Sequence, residues 1–214
     1  MKNIRIEKIA EMVKEGMIVA DIGTDHAYLP VLLMQQKKCK KVYACDVAKG
    51  PLEAANKTIE KANLSASITT ILSNGFDAIP NDIEGAVIAG MGFMTATMIL
   101  EKAQNRLDSL KQIIVEINRD TTDMRQWISQ HQYTIDDEAY VNDRNHDYVI
   151  ISFTTKKHEL YTEEEILLGP ILMQQKNESY ISYCQKQLAK KQAIYQKNKD
   201  ESLLREIEIY QKYL

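Results

Sequence analysis

The chain has 214 residues, 44% of them hydrophobic, enough for one ordinary domain with an appendage or two small domains around a sizeable core. A formal net charge of −3 weighs against a protein held on nucleic acid by bulk charge, and three cysteines without paired spacing (Cys39, Cys45, Cys184) exclude a disulfide framework. The one long uncharged stretch, from Gly85 to Leu100, is shorter than the roughly 20 residues of a membrane helix, and no basic, apolar leader opens the sequence, so a cytoplasmic protein is expected.

In chain order, short β-branched runs recur at "MIVADI", "KVYACD", "SITTIL", "GAVIAG" and "QIIVEI", ending near Ile22, Asp46, Leu72, Gly90 and Ile117. Between them lie helix-length segments, clearest from Leu52 to Ala62, Thr95 to Arg106 and Thr121 to Gln130. Strands apolar on both faces that alternate with helices mean a parallel sheet covered on both sides. After the fifth strand the rhythm changes: "YTIDDEAYV" and "DYVIISF" are separated only by the polar turn "NDRNH". Two strands so close must pair antiparallel. Five parallel strands followed by a terminal hairpin is the Rossmann-like α/β sheet pattern of class I methyltransferases rather than of dinucleotide dehydrogenases.

From Thr162 onward the composition shifts to Glu, Lys, Gln and Leu. Ile181, Cys184, Leu188 and Tyr195 follow helical spacing, Leu203, Ile207, Tyr210 and Leu214 form a second stripe, and Asp200 or Ser202 can cap the second helix. An antiparallel coiled-coil hairpin and a plain helix pair packed on the sheet are both compatible with these stripes. Residues 1–155 are assigned to the sheet domain and 156–214 to a C-terminal helical domain. That tail carries ten basic against nine acidic residues, whereas the front has seventeen against twenty-one.

Ligands of an open parallel sheet bind beyond the carboxyl ends of the strands, where the order reverses. The loops "DIGTDH", "DVAKGP", "SNGF" and "AGMGF" therefore surround one crevice. A dinucleotide needs a glycine-rich turn to seat its pyrophosphate on backbone amides, but "DIGTDHAYLP" has one glycine and two carboxylates, Asp21 and Asp25. S-adenosylmethionine carries an ammonium, a sulfonium and two ribose hydroxyls, so carboxylates suit it. Asp21 can orient the loop or accept from the methionine end, Asp46 from the ribose, and Asn74 with Gly75 can sit near the adenine edge. His26, His131, His146 and His158 show no metal-ligand spacing, and no metal is expected.

These residues resemble the bacterial tRNA adenine-22 N1-methyltransferases, through "DIGTDHAYLP", "DVAKGP", "NGF", "IAGMGF", "MRQWI", "DYVII" and "LLGPIL", which together span essentially the whole chain. The resemblance implies a methyltransferase domain followed by a helical coiled-coil domain, S-adenosylmethionine as cofactor and tRNA as substrate. It also implies a cofactor site lined by Arg5, Asp21, Gly23, His26, Asp46, Asn74, Gly75, Gly90 and Met91. Two departures stand out: Phe93 occupies the last glycine of the family's Gly-Met-Gly-Gly, and Glu116, Ile117 and Asn118 replace its Gln-Pro-Asn. Phe93 can stack on the target base or belong to the core.

Adenine N1 has an in-plane lone pair, so the enzyme's main task is alignment, followed by stabilisation of a ring made cationic by methylation. Asp25 is the candidate for that charge; alternatively it caps a helix starting near Ala27. A monomer is expected. A small-molecule methyltransferase and a non-catalytic cofactor- or RNA-binding module are the alternative readings.

Overall fold

The computed structural model describes residues 3–214. Its strands are β1 (Met17–Ile22), β2 (Cys39–Asp46), β3 (Ile68–Leu72), β4 (Gly85–Met91), β5 (Gln112–Ile117), β6 (Tyr133–Asp143) and β7 (His146–Lys157). They form one sheet in the order β3-β2-β1-β4-β5-β7-β6. The first five run parallel, and β7 is antiparallel to both of its neighbours. The expected terminal hairpin thus inserts its second strand beside β5.

The helices are α1 (Ile4–Met12), α2 (Tyr28–Gln35), α3 (Lys49–Lys61), α4 (Phe93–Lys102), α5 (Gln104–Leu107), α6 (Thr121–Gln130), α7 (Glu163–Leu168), α8 (Leu172–Gln175), α9 (Glu178–Asn198) and α10 (Ser202–Tyr213). One face of the sheet packs with Ile9 of α1, Leu33 of α2 and Ile59 of α3. The other packs with Leu100 of α4, Leu107 of α5 and Ile128 of α6. Covering both faces requires apolar residues on both sides of the central strands, and every residue of β5 is buried. Its polar members are paired: Gln112 donates to Met12 O and Ser152 Oγ at 2.8 and 3.0 Å, and accepts from Lys14 N at 2.9 Å.

The helix expected from Thr95 to Arg106 is divided at Ala103 into α4 and α5. Arg106 donates to the carbonyls of Phe76, Ile79 and Pro80, at 2.6, 3.0 and 2.8 Å, and so ties α5 to the loop after β3. Phe93 opens α4 and packs, half-buried, against the core.

The tail helices fold back on one another, with Lys191 of α9 paired to Glu206 of α10. Tyr180, Cys184, Ile209 and Tyr210 belong to the same buried cluster as Trp127 of α6 and Ile151 of β7. The joint between tail and sheet is a buried ion pair. Arg125 Nε lies 2.7 Å from Glu138 Oε1, with side chains 3% and 0% exposed. Arg125 Nη1 also donates to the carbonyls of Ile166 and Leu167, while Glu138 Oε2 accepts from the amides of Ile171 and Leu172. Gly169 sits between them at φ +84, where a Cβ would stand 2.5 Å from Glu138 Oε2 and 2.6 Å from Arg125 Nη2. Only glycine fits that combination of backbone and space.

Removing one partner of such a pair leaves an uncompensated buried charge. Glu138→Ala should therefore lower unfolding stability by about 3–5 kcal/mol, read as a reduced urea midpoint. An unchanged midpoint would show that the pair bears no load.

Candidate active site

The strand order reverses between β1 and β4, and a crevice of about 450 Å³ opens there at their carboxyl ends. Arg5, Asp21, Gly23, Asp25, His26 and Gly90 of the sequence-derived set line it. The loop that follows β1 is fixed by its backbone: the amides of Gly23 and Thr24 both donate to Cys45 O, at 2.8 and 2.9 Å. Gly23 has φ +82, and a side chain there would collide with the methyl group of Met91. Asp25 and Ala27 also adopt left-handed backbone, at φ 51 and 56. Ala27 is the N-cap of α2 and no side chain caps that helix, so Asp25 does not serve as its cap.

Asp21 is 5% exposed and accepts from Thr24 Oγ1 at 2.7 Å. Burial pushes its carboxyl up to about 6, against the Thr24 hydrogen bond that lowers it, and the neighbouring Asp46 carboxylate raises it further. Asp46 ends β2, with Oδ1 accepting from Ala48 N at 3.0 Å and Oδ2 from Asp25 N at 3.3 Å. Asp25 itself is 70% exposed on its side chain and lies 3.6 Å from His26 Nε2.

The opposite wall is built around Glu116, a buried carboxylate at the end of β5. Glu116 Oε2 accepts from Arg5 Nη1 at 2.9 Å and from Gly90 N at 3.0 Å. Burial raises its carboxyl, opposed by Arg5 and the Gly90 amide. The Arg5 guanidinium lies 5.2 Å from the Tyr148 ring centroid, and Asn118 Nδ2 donates to Gly90 O at 3.0 Å. The crevice thus has carboxylates on one side and an anchored cation on the other.

Asn74 and Gly75 do not line this crevice. They border a second depression of about 540 Å³, with Phe76, Ile99 and Arg106. Asp46 lines neither depression; its carbonyl accepts from Ser73 N at 2.9 Å, next to the Asn74 turn. Met91 contributes by packing against Gly23 and by accepting the Asn118 amide at 3.1 Å. Sequence reasoning missed Thr24, Tyr28 and Tyr148. Thr24 follows Asp21 by three residues within a turn, which is a readable signal; the Arg5 to Tyr148 contact spans nearly the whole sheet domain and has none. Among the described residues no group of three His, Cys, Asp or Glu converges as a metal site, and no helix is long and apolar enough to cross a membrane.

The profile of the tRNA (adenine(22)-N(1))-methyltransferase family matches residues 19–213. The Bacillus subtilis (strain 168) tRNA (adenine(22)-N(1))-methyltransferase is 27% identical over 198 residues, covering 90% of this chain and 83% of its own. Streptococcus pneumoniae Sp1610, solved in complex with S-adenosyl-L-methionine, superimposes with a TM-score of 0.90 at 27% identity, over 100% of both chains. M. capricolum TrmK, solved with S-adenosyl-homocysteine, gives a TM-score of 0.84 at 32% identity over 100% of this chain and 97% of its own.

The buried Asp21 carries a prediction of its own. Its carboxyl carbon should titrate in NMR with a midpoint near about 6, and Thr24→Val should move that midpoint upward by removing a donor to the charged form. Because the folded value is raised above the ordinary 3.8, Asp21 contributes stability that is fully present below about 3.8 and lost as pH rises through about 6. Asp21→Asn should remove that slope from a stability–pH profile. A midpoint near the ordinary value would mean that water reaches the carboxylate freely.

Proposed function

The chain belongs to the tRNA (adenine(22)-N(1))-methyltransferase family, and we propose on that premise that it transfers a methyl group from S-adenosylmethionine to N1 of adenine 22 in tRNA. The observation that carries the reading is Asp21, a carboxylate buried at the β1/β4 switch point with Asp46 on the neighbouring strand end. A cationic ligand favours the ionised form of such a group, whereas a pyrophosphate would be repelled by it.

The donor set fits the cofactor in strand order. Asp21 and Arg5 face the two ends of an amino-acid group, its ammonium and its carboxylate. Gly23, His26 and Gly90 shape the walls, Met91 backs Gly23, Asp46 is proposed to accept from ribose hydroxyls, and Asn74 with Gly75, which border the neighbouring depression, are proposed to meet the adenine edge where the nucleoside extends past Asp46. Neighbouring strands lie about 4.8 Å apart, so the span from β1 to β3 suits an extended nucleoside. When bound, S-adenosylmethionine supplies an electrophilic methyl group on a sulfonium.

The protein's own part is mostly placement, because adenine N1 needs no prior deprotonation. Methylation leaves the ring cationic. Asp25, exposed on the loop at the crevice mouth, is the proposed counter-charge, and its effect strengthens as docked RNA excludes water. The 156–214 segment, less acidic than the front, is proposed to extend the grip on a substrate larger than the crevice. A monomer is the proposed form, and the cytosol its proposed compartment, where the three unpaired, buried cysteines stay reduced.

The direct test is incubation of the purified protein with labelled S-adenosylmethionine and unmodified bulk tRNA, followed by nucleoside mapping. N1-methyladenosine at position 22 is expected. Methylation of another position, or of no RNA, would overturn the reading.

Asp25→Asn isolates the charge, since size and local geometry are kept. The variant should bind cofactor normally and methylate tRNA at least tenfold more slowly in single-turnover conditions, about 1.4 kcal/mol of transition-state stabilisation. A rate near wild type would remove Asp25 from catalysis.

A further inference from the structure

We propose that Tyr28 stacks on a nucleobase adjacent to the target adenine, and that the groove behind it receives that base. The inference rests on the RNA-methylation reading above and names how the substrate strand is held.

Tyr28 is 56% exposed, although it is a large aromatic residue beside the crevice. Its ring stacks on His26, with centroids 5.4 Å apart and planes inclined by 21°. The loop that presents the pair is held by the backbone hydrogen bonds to Cys45 and by Ala27 N donating to Thr24 O at 2.9 Å. Tyr28 therefore offers an aromatic face from a fixed platform.

Tyr28 is also a shared wall. On one side lies the crevice with Asp21 and Arg5. On the other, a groove of about 620 Å³ runs between α1 and α2, and Asn3, Ile6 and Tyr28 border both. Half-buried Ile6, Val31 and Leu32 line the groove together with polar Asn3 and Gln35 and the charged Glu7 and Arg144. Apolar surface bordered by amides and by charged groups of both signs matches a nucleobase, which has apolar faces and an edge of donors and acceptors.

Extrusion of a target base gives the proposal its physical need. When adenine leaves its stack, the neighbouring base loses contact on one face. An aromatic ring at the crevice mouth restores that contact, and base–aromatic stacking is tolerant of base identity.

The test uses the full chain with an in vitro transcribed tRNA substrate, comparing wild type, Tyr28→Phe and Tyr28→Leu. Tyr28→Leu should weaken tRNA binding at least fivefold, and by more than it weakens S-adenosylmethionine binding by calorimetry, while Tyr28→Phe should stay within twofold of wild type for tRNA. In a substrate carrying 2-aminopurine next to the target, fluorescence should be quenched on binding wild type and not Tyr28→Leu. Unchanged tRNA affinity in Tyr28→Leu would overturn the proposal. So would an equal loss in Tyr28→Phe, which would assign the effect to the hydroxyl, or a parallel loss of cofactor affinity, which would return Tyr28 to the cofactor pocket. Failure of wild type to methylate any tRNA would instead overturn the reading on which the proposal rests.

Discussion

A parallel sheet covered by helices on both faces meets solvent chiefly at its strand ends and edges, and here the reversal between β1 and β4 opens those ends into a crevice. The active-site arrangement follows from that constraint. β1 must be apolar on both faces until its last turns, so Asp21 becomes buried at the point where the chain leaves the sheet. The loop beyond has to turn sharply, which sets Gly23 in left-handed backbone and hangs two amides on Cys45 O of the next strand. Asp46, one strand over, then holds the loop through the Asp25 amide. Scaffold and site are one hydrogen-bonded unit.

The two buried carboxylate clusters serve different ends. Glu138 is paired with Arg125 and accepts two backbone amides, so its charge is spent on joining the helical tail to the sheet. Glu116 shares one oxygen between Arg5 and the Gly90 amide, and its other oxygen has no partner among the described protein groups. That pairing carries the Arg5 cation to the crevice from α1, the helix at the start of the described chain. It also fixes the β4 loop at Gly90, whose φ of +74 bends the chain toward Arg5. Tyr148, reached through Arg5, ties the terminal hairpin to the same wall.

Much of this was legible in the sequence, because each central strand announces itself by being apolar on both faces. The five strand ends fall where the β-branched runs stop, and α6 covers Thr121 to Gln130 as its apolar spacing predicts. Other features depend on contacts between distant residues. The division of the predicted Thr95 to Arg106 helix at Ala103 goes with Arg106 reaching three carbonyls some thirty residues upstream. Asp25 reads as a helix cap by position, yet Asp25 and Ala27 both take left-handed backbone, Ala27 is the N-cap residue, and no side chain caps α2. Asn74 and Gly75 share the strand-end surface with Asp21 but face a different depression. The apolar stripes of α9 and α10 could not say what they cover; Tyr180 and Tyr210 join the core of the sheet layer, so the tail is packed on its scaffold as well as on itself.

The loop after β1 also explains which nucleotides the crevice turns away. A phosphate-binding turn presents several free amides at a helix start with no negative charge nearby. Here the Gly23 and Thr24 amides are consumed by Cys45 O, the Asp25 amide by Asp46, and the Ala27 amide by Thr24 O. Asp21 faces the cavity beside the side chains of Thr24, Asp25 and His26, its carboxyl raised to about 6 by burial. This loop would offer a pyrophosphate a carboxylate where a phosphate-binding turn offers free amides. A ligand with a positive charge would supply the counter-charge that desolvation withholds, driving Asp21 to its ionised form as it binds. The same substitution of side-chain acceptors for backbone donors that removes the glycines from this turn is what selects a cation for it.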